Sequence, residues 1–273
     1  MSTGRIMFCR RHVIGGILST SAIGLLSLTG AAAGRAAAHP PLVAAAASLR
    51  SALPEVAAAF AAESGFSPRF SFGSSGNLAR QIRQGAPFEL FLSADEILID
   101  TLAQARLTKD RGVLYALGRL ALFVPRGSPI SPDRGLAGVS AALEQGELRR
   151  FAIPNPEHAP YGRAAREALQ HAKIWDAIGS RLVLGENVSQ TAQFAATGSS
   201  DGALISQSLA VAPEFAGQGV YEVIAEKWHS PIRHRMALLP AAGDHAKRFF
   251  SFLGSAKARE VFARYGFSDP GEE

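Results

Sequence analysis

The chain has 273 residues, with 28 Lys+Arg, 23 Asp+Glu and a single cysteine. Its basic excess sits at one end: Arg5, Arg10, Arg11 and Arg35 precede His39 with no acidic residue among them, leaving 24 basic and 23 acidic groups beyond. That near-neutral remainder excludes an argument from charge for nucleic-acid binding. Cys9 lies in the same leading segment, so residues 39–273 have no disulfide, thiol nucleophile or cysteine metal site.

Residues 1–38 read as a signal peptide. Arg10-Arg11 precede an apolar run from Val13 to Leu28, and Ala36-Ala37-Ala38 supplies small residues suited to cleavage before His39. The order Arg10, Arg11, His12, Val13, Ile14 also fits a twin-arginine signal, although Cys9 stands where Ser or Thr is usual. The apolar run is rich in Gly, Ser and Thr and shorter than the ~20 residues that span a bilayer, which argues against a permanent anchor. Roughly 235 residues remain, enough for one large domain or two small ones.

From there, short apolar runs alternate with amphipathic helical patterns. Leu42 to Ala47 predicts a buried strand, followed by a helix with Leu49, Leu53, Val56 and Phe60 on its apolar face. Arg69 to Phe72 predicts a second strand, and Leu78 and Ile82 a second helix stopped by Gly85. Phe88 to Leu92 and a helix through Ile97 and Leu102 come next. The pattern restarts at Leu120 to Val124, with further strands at Phe151 to Ile153, Arg181 to Leu184, Ala203 to Ile205, Val220 to Ile224 and Met236 to Leu239. Helices are expected at Tyr161 to Ala172, Val188 to Ala196, and around Phe249 and Val261. Strand–helix–strand repetition argues for parallel α/β sheets with helices on both faces, and the restart fits two α/β lobes.

The polar residues cluster where strands give way to helices. Ser48 follows the first strand; Ser74, Ser75 and Gly76 follow the second; Asn155 to Gly162 and Asn187-Val188-Ser189-Gln190 open two later helices. Free N–H groups and the positive dipole end suit such starts to anions, and ligands of open α/β sheets sit at these strand ends. Taken singly, each serine is better explained as a helix cap; four such openings, two in each lobe, favour a converging anion cleft.

Longer stretches are more specific. AAASLR (Ala45 to Arg50), FSFGSSGNLARQIRQGAPFELFLSAD (Phe70 to Asp95), YALGRLALFVP (Tyr115 to Pro125), IPNPEHAPYGRAAREAL (Ile153 to Leu169), GENVSQT (Gly185 to Thr191) and RYGF (Arg264 to Phe267) resemble, in order, the periplasmic molybdate-binding proteins of ABC transporters. The resemblance implies a two-lobed type-II periplasmic binding protein fold, with mixed sheets flanked by helices and a ligand cleft between the lobes. The lobes would be residues 39–119 with 235–273, and residues 120–234. It implies a monomer without cofactor or catalysis that captures molybdate or tungstate in the periplasm and passes it to a permease and its ATPase.

By the same resemblance, Ser48 and Ser75 donate to the oxyanion from the first lobe, and the N–H groups of Tyr161 and Val188 from the second, with no direct protein–metal ligand. Many family members also place a tyrosine hydroxyl on the strand matching Ala203 to Ser206, where this chain has Ile205 or Ser206 instead. Ser206, or the side chain of Tyr161, is the candidate replacement. A tetrahedral dianion offers acceptors only, so hydroxyls and peptide N–H groups can satisfy it. Glu157 and Glu186 are expected to face solvent or cap backbone, and Arg50 and Arg80 to be exposed.

Rival readings are weaker. GSSGN around Ser75 is not G-x-S-x-G, and no His/Asp pair follows in a recognisable context. His229, His234 and His245 lack a compact ligand spacing and are expected at the surface. Sulfate as the ligand, or a sensor as the recipient, are the alternatives within the binding class.

Overall fold

The computed structural model describes residues 39–271; the expected signal peptide lies outside the described residues. In chain order the elements are β1 (Leu42–Ala46), α1 (Ala52–Ser64), β2 (Arg69–Gly73), α2 (Ser75–Arg83), β3 (Leu90–Ser93), α3 (Glu96–Gln104), β4 (Val113–Gly118), β5 (Leu120–Pro125), α4 (Ala137–Glu144) and β6 (Phe151–Pro154). They continue with α5 (Pro160–His171), α6 (Trp175–Ile178), β7 (Leu182–Gly185), α7 (Val188–Ala196), β8 (Gly202–Ser206), α8 (Gln207–Ala210), β9 (Gly219–Val223), β10 (Ile232–Leu238), α9 (Asp244–Leu253) and α10 (Ala256–Arg264).

The strands form two five-stranded sheets, ordered β2-β1-β3-β10-β4 and β7-β6-β8-β5-β9. In each, three strands are parallel: β2, β1 and β3 in the first, β7, β6 and β8 in the second. β10 runs antiparallel to β3 and β4, and β5 antiparallel to β8 and β9. The sheets are therefore mixed, as the family resemblance implied, whereas the strand–helix alternation alone pointed to parallel sheets. Each of the parallel strands is followed by a helix, and those segments alternate as read.

The apolar run of β1 follows from its central place. Val43 and Ala45 pack into the main core, while Ala44 faces a second cluster with Leu78, Ile82, Phe91, Ile99 and Leu102 from α2, β3 and α3. A strand covered on both faces has no polar alternation to show. In α2, Leu78, Ala79 and Ile82 are buried while Arg80 and Arg83 remain outside, the stripe expected of a helix lying on a sheet. α3 runs through Ile97 and Leu102 as expected, but Ile97 does not pack. It is exposed, and Ile99 and Leu102 do the packing.

β4 was not anticipated, and α4 only as an unplaced helix between two strands. β4 abuts β5 with only Arg119 between them, so the sequence shows one apolar run where the chain passes from one sheet to the other. The return crossing occupies residues 224–231, and the expected lobe boundary at Arg235 falls three residues beyond the start of β10. α4 begins after Asp133, whose carboxylate accepts from the N–H groups of Gly135, Ala137 and Gly138 at 2.7–3.0 Å. That aspartate was the available local signal. Among the described residues no helix is long and apolar enough to cross a membrane.

Candidate functional site

The carboxyl ends of β1, β2, β3, β6 and β7 all open onto one small cavity lined mostly by buried residues. Ala46, Ala47 and Ser48 line it after β1, Gly73, Ser74 and Ser75 after β2, and Ala94 after β3. From the second sheet come Ala159, Pro160 and Tyr161 at the start of α5, and Asn187 and Val188 at the start of α7. All of these residues are uncharged. Small side chains there let the backbone itself form the wall.

Three helices start at this cavity with backbone donors that no helical carbonyl can reach. Ser75 is the first residue of α2, and its N-cap, Ser74, makes no side-chain cap bond. Tyr161 is the second residue of α5, behind an Ala159 N-cap that has no oxygen to offer. Asn187 does cap α7, but its Oδ1 accepts from Ser189 and Gln190 at 3.0 and 3.1 Å, leaving the N–H of Val188 to the cavity. Two of three starts thus lack the side-chain acceptor that helices ordinarily recruit.

The two serine hydroxyls are arranged as donors. Ser75 Oγ accepts the N–H of Ala94 at 3.0 Å, so its own proton is free for another acceptor. Ser48 is 1% exposed, and its Oγ has no hydrogen-bond partner among the described residues. A buried hydroxyl left without a partner costs free energy, and an acceptor in the cavity removes that cost. Tyr161 is buried beside it. Burial raises its phenol above the ordinary value, and the neighbouring Ser48 hydroxyl partly offsets the rise, so the ring keeps its proton and can donate.

Ser48, Ser75, Tyr161 and Val188, all expected from the sequence, are thus gathered at one place. Ser206 is not among the lining residues. It ends β8 fully buried, its hydroxyl 3.0 Å from that of Ser208, which donates to the carbonyl of Ser48 at 2.7 Å. Glu157 is largely exposed and lies 3.6 Å from Arg166. Arg50 lies over the Phe72 ring and Arg80 bonds Asn77, both outside the cavity.

Contacts that sequence reasoning missed hold the two sheets together at the rim. The N–H of Gly76 donates to the carbonyl of His158 at 3.0 Å, and Ser74 Oγ lies 2.9 Å from His158 Nδ1. Glu186 receives Asn77 and stands 3.5 Å from His158 Nε2. A Cβ on Gly76 would lie 2.6 Å from the His158 carbonyl oxygen, so only glycine permits this approach. A larger depression opens alongside, lined in part by Asp95, Glu96, Arg163, Glu167 and Arg233. Four of its charges are paired, Arg163 with Asp95 and Arg233 with Glu96, and Glu167 accepts from the N–H of Ser230.

His234 corrects an expectation. It is fully buried in β10 rather than at the surface, and among the described residues no group of three or more His, Cys, Asp or Glu side chains is placed to hold a metal ion.

The family model described as bacterial extracellular solute-binding protein matches residues 41–268. The chain belongs to that family. Among its relatives, the molybdate-binding protein ModA of Rhodobacter capsulatus is 31% identical over 235 residues, 85% of this chain and 89% of that protein. The solved periplasmic molybdate-binding protein of Azotobacter vinelandii superposes with a TM-score of 0.77 at 25% identity, covering 84% of this chain and 99% of that one. The sulfate-binding protein SubI of Mycobacterium tuberculosis H37Rv shares the fold, with a TM-score of 0.68 at 18% identity over 85% and 88% of the two chains.

Burial pushes the pKa of His234 down to about 3. The unfolded chain titrates near ~6.5, so between the two values the unfolded state binds the extra proton. Stability is then full above the unfolded value and falls as pH drops toward the folded one, by up to ~1.4 kcal/mol per pH unit. Urea unfolding at about pH 7.5 and about pH 5 should show the wild type losing ~1–2 kcal/mol more than His234→Gln. Equal losses would contradict the buried neutral imidazole.

Proposed function

We propose that this protein captures molybdate, and tungstate with it, and delivers the anion to a membrane permease driven by its ATPase. The observation that carries the reading is the convergence of uncapped helix starts and an unpartnered serine hydroxyl on one small, uncharged cavity. Such a lining suits a fully ionised tetrahedral anion, which accepts hydrogen bonds and donates none. A carboxylate in the wall would repel it, and a fixed cation is not needed where several neutral donors converge. The names of the Rhodobacter and Azotobacter relatives favour molybdate over sulfate.

On this reading the ligand donors are the hydroxyls and N–H groups of Ser48 and Ser75, the N–H groups of Tyr161 and Val188, and the Tyr161 hydroxyl in place of the tyrosine that β8 lacks. Ser206 then acts at one remove, beside the Ser208 hydroxyl that holds the Ser48 carbonyl. The protein works in the periplasm as a monomer after loss of residues 1–38, and molybdate is cargo rather than cofactor. Residues 39–119 with 235–273 form one lobe and residues 120–234 the other. The anion favours the closed arrangement because only there do donors from both lobes reach it.

Isothermal titration calorimetry of the metal-free protein, with the leading segment removed, tests the reading. Molybdate and tungstate are expected to bind one to one, with sulfate and phosphate silent. Preferential binding of sulfate or phosphate would overturn the specificity, and silence from all four would return the serines to a capping role. Ser48→Ala and Ser75→Ala should each weaken molybdate binding by ~1–3 kcal/mol, the range for a hydrogen bond to a charged group; unchanged affinity in both would remove them from the site. Gly76→Ala should weaken binding while leaving the circular dichroism spectrum intact, because its methyl pushes α2 away from His158. Wild-type affinity in that variant would show that the rim contact plays no part in closure.

A further inference from the structure

The deeper wall of the site leads to a group that does not line the cavity. His234 is fully buried on β10 between two tyrosine hydroxyls, with Nε2 3.4 Å from Tyr161 Oη and Nδ1 3.4 Å from Tyr115 Oη. The edges and faces of Tyr115, Tyr161 and Phe267 enclose it, at ring-centroid distances of 6.0, 6.2 and 5.1 Å. Gly118, at the end of β4, leaves the room for this contact: a Cβ there would lie 2.2 Å from Tyr161 Oη and 2.9 Å from His234 Nε2. In β10 the register against β4 shifts between His234 and Arg235, so the imidazole sits at an irregularity of the ladder. Burial keeps the ring neutral at working pH.

A neutral imidazole has one N–H and one lone pair, so one flanking tyrosine must donate to it and the other must accept from it. The direction is open in the free protein. An acceptor-only anion in the cavity closes it. If the Tyr161 hydroxyl donates its hydrogen bond to the anion, its oxygen is left to accept from Nε2–H, and Nδ1 then accepts from the Tyr115 hydroxyl. Every bond in the series points the same way, from Tyr115 through His234 and Tyr161 to the ligand.

We propose that His234, held by Tyr115 with its proton on Nε2, is a positioning residue that aims the Tyr161 hydroxyl at the bound oxyanion. This rests on the reading that the cavity binds molybdate with the Tyr161 hydroxyl among its donors. It assigns His234 and Tyr115 a part in recognition although neither lines the site. The arrangement favours anions that arrive without a proton, because the hydroxyl facing the ligand is committed as a donor.

The test is a double-mutant cycle read by calorimetry with molybdate, on His234→Leu, His234→Gln, Tyr161→Phe and the Tyr161→Phe/His234→Leu pair. Wild-type binding is measured first, since its absence would defeat the functional reading and not this one alone. His234→Leu should weaken binding roughly tenfold, and His234→Gln, whose amide nitrogen can stand near the position of Nε2, should recover most of that loss. In the Tyr161→Phe background His234→Leu should change little more. Equal losses in both backgrounds would mean that the imidazole only packs, and the proposal falls. It also falls, with the functional reading intact, if Ser48→Ala weakens binding while Tyr161→Phe does not. Should His234→Leu fail to fold, the ¹⁵N spectrum of histidine-labelled protein saturated with molybdate decides, with His234 assigned by comparison with His234→Gln. A neutral ring protonated on Nε2 supports the proposal; one protonated on Nδ1 overturns it.

Discussion

An α-helix begins with peptide N–H groups that its own carbonyls cannot reach, and burying such a group without an acceptor costs free energy comparable to a lost hydrogen bond. Here α2, α5 and α7 all begin at one small cavity, and only α7 is capped by a side chain. Much of the remaining architecture follows from that constraint. The wall is built from serine, alanine, glycine and proline, with one asparagine, one valine and one tyrosine, because larger side chains would stand between the backbone donors and whatever accepts from them. Charge is kept out to the rim, where Glu186, Asp95 and Arg163 find partners in one another's neighbourhood or in nearby polar groups.

The mixed sheets serve the same end. Three parallel strands in each sheet deliver their carboxyl ends, and the helices that follow, to a common edge. The antiparallel strands β5 and β10 lie on either side of the crossings that connect the two sheets. Polar contacts between the two parts include Gly76 to His158, Ser74 to His158, Asn77 to Glu186, Arg163 to Asp95 and Ser208 to Ser48. Bonds of this kind exchange with water at small net cost, which suits a protein that, on the proposed reading, must open to release its cargo. Tyr161 extends from this interface toward β4 and β10, where Tyr115 and His234 receive it.

Much of the fold was legible because periodicity reports burial. The runs at β1, β5, β6 and β8 are apolar since both faces of those strands are covered, and the stripe Leu78, Ile82 marks the buried side of α2. What escaped was the separation of β4 from β5, because a strand that ends in one sheet and restarts in another at a single residue leaves no break in hydrophobicity. Strand direction also escaped, since an apolar run reads the same whether its neighbours are parallel or antiparallel. Of the site, Ser48, Ser75, Tyr161 and Val188 stood at strand–helix junctions that any reader of the chain can find; the order of the matching motifs supplied their roles.

The sequence by itself determined which segments fold locally and which polar residues sit at helix starts, because both are written in short-range spacing and capping chemistry. Only the tertiary structure decided that these starts face one another, that Gly76 admits the His158 carbonyl, and that Ser206 stays behind Ser208 instead of lining the cavity. It also decided the place of His234. Nothing adjacent to that residue in the chain distinguishes it from His229 or His245. Its burial between Tyr115 and Tyr161, more than seventy residues away on either count, exists only after β10 has returned to lie beside β4. Long-range packing, which no local pattern encodes, sets both its protonation and its partners.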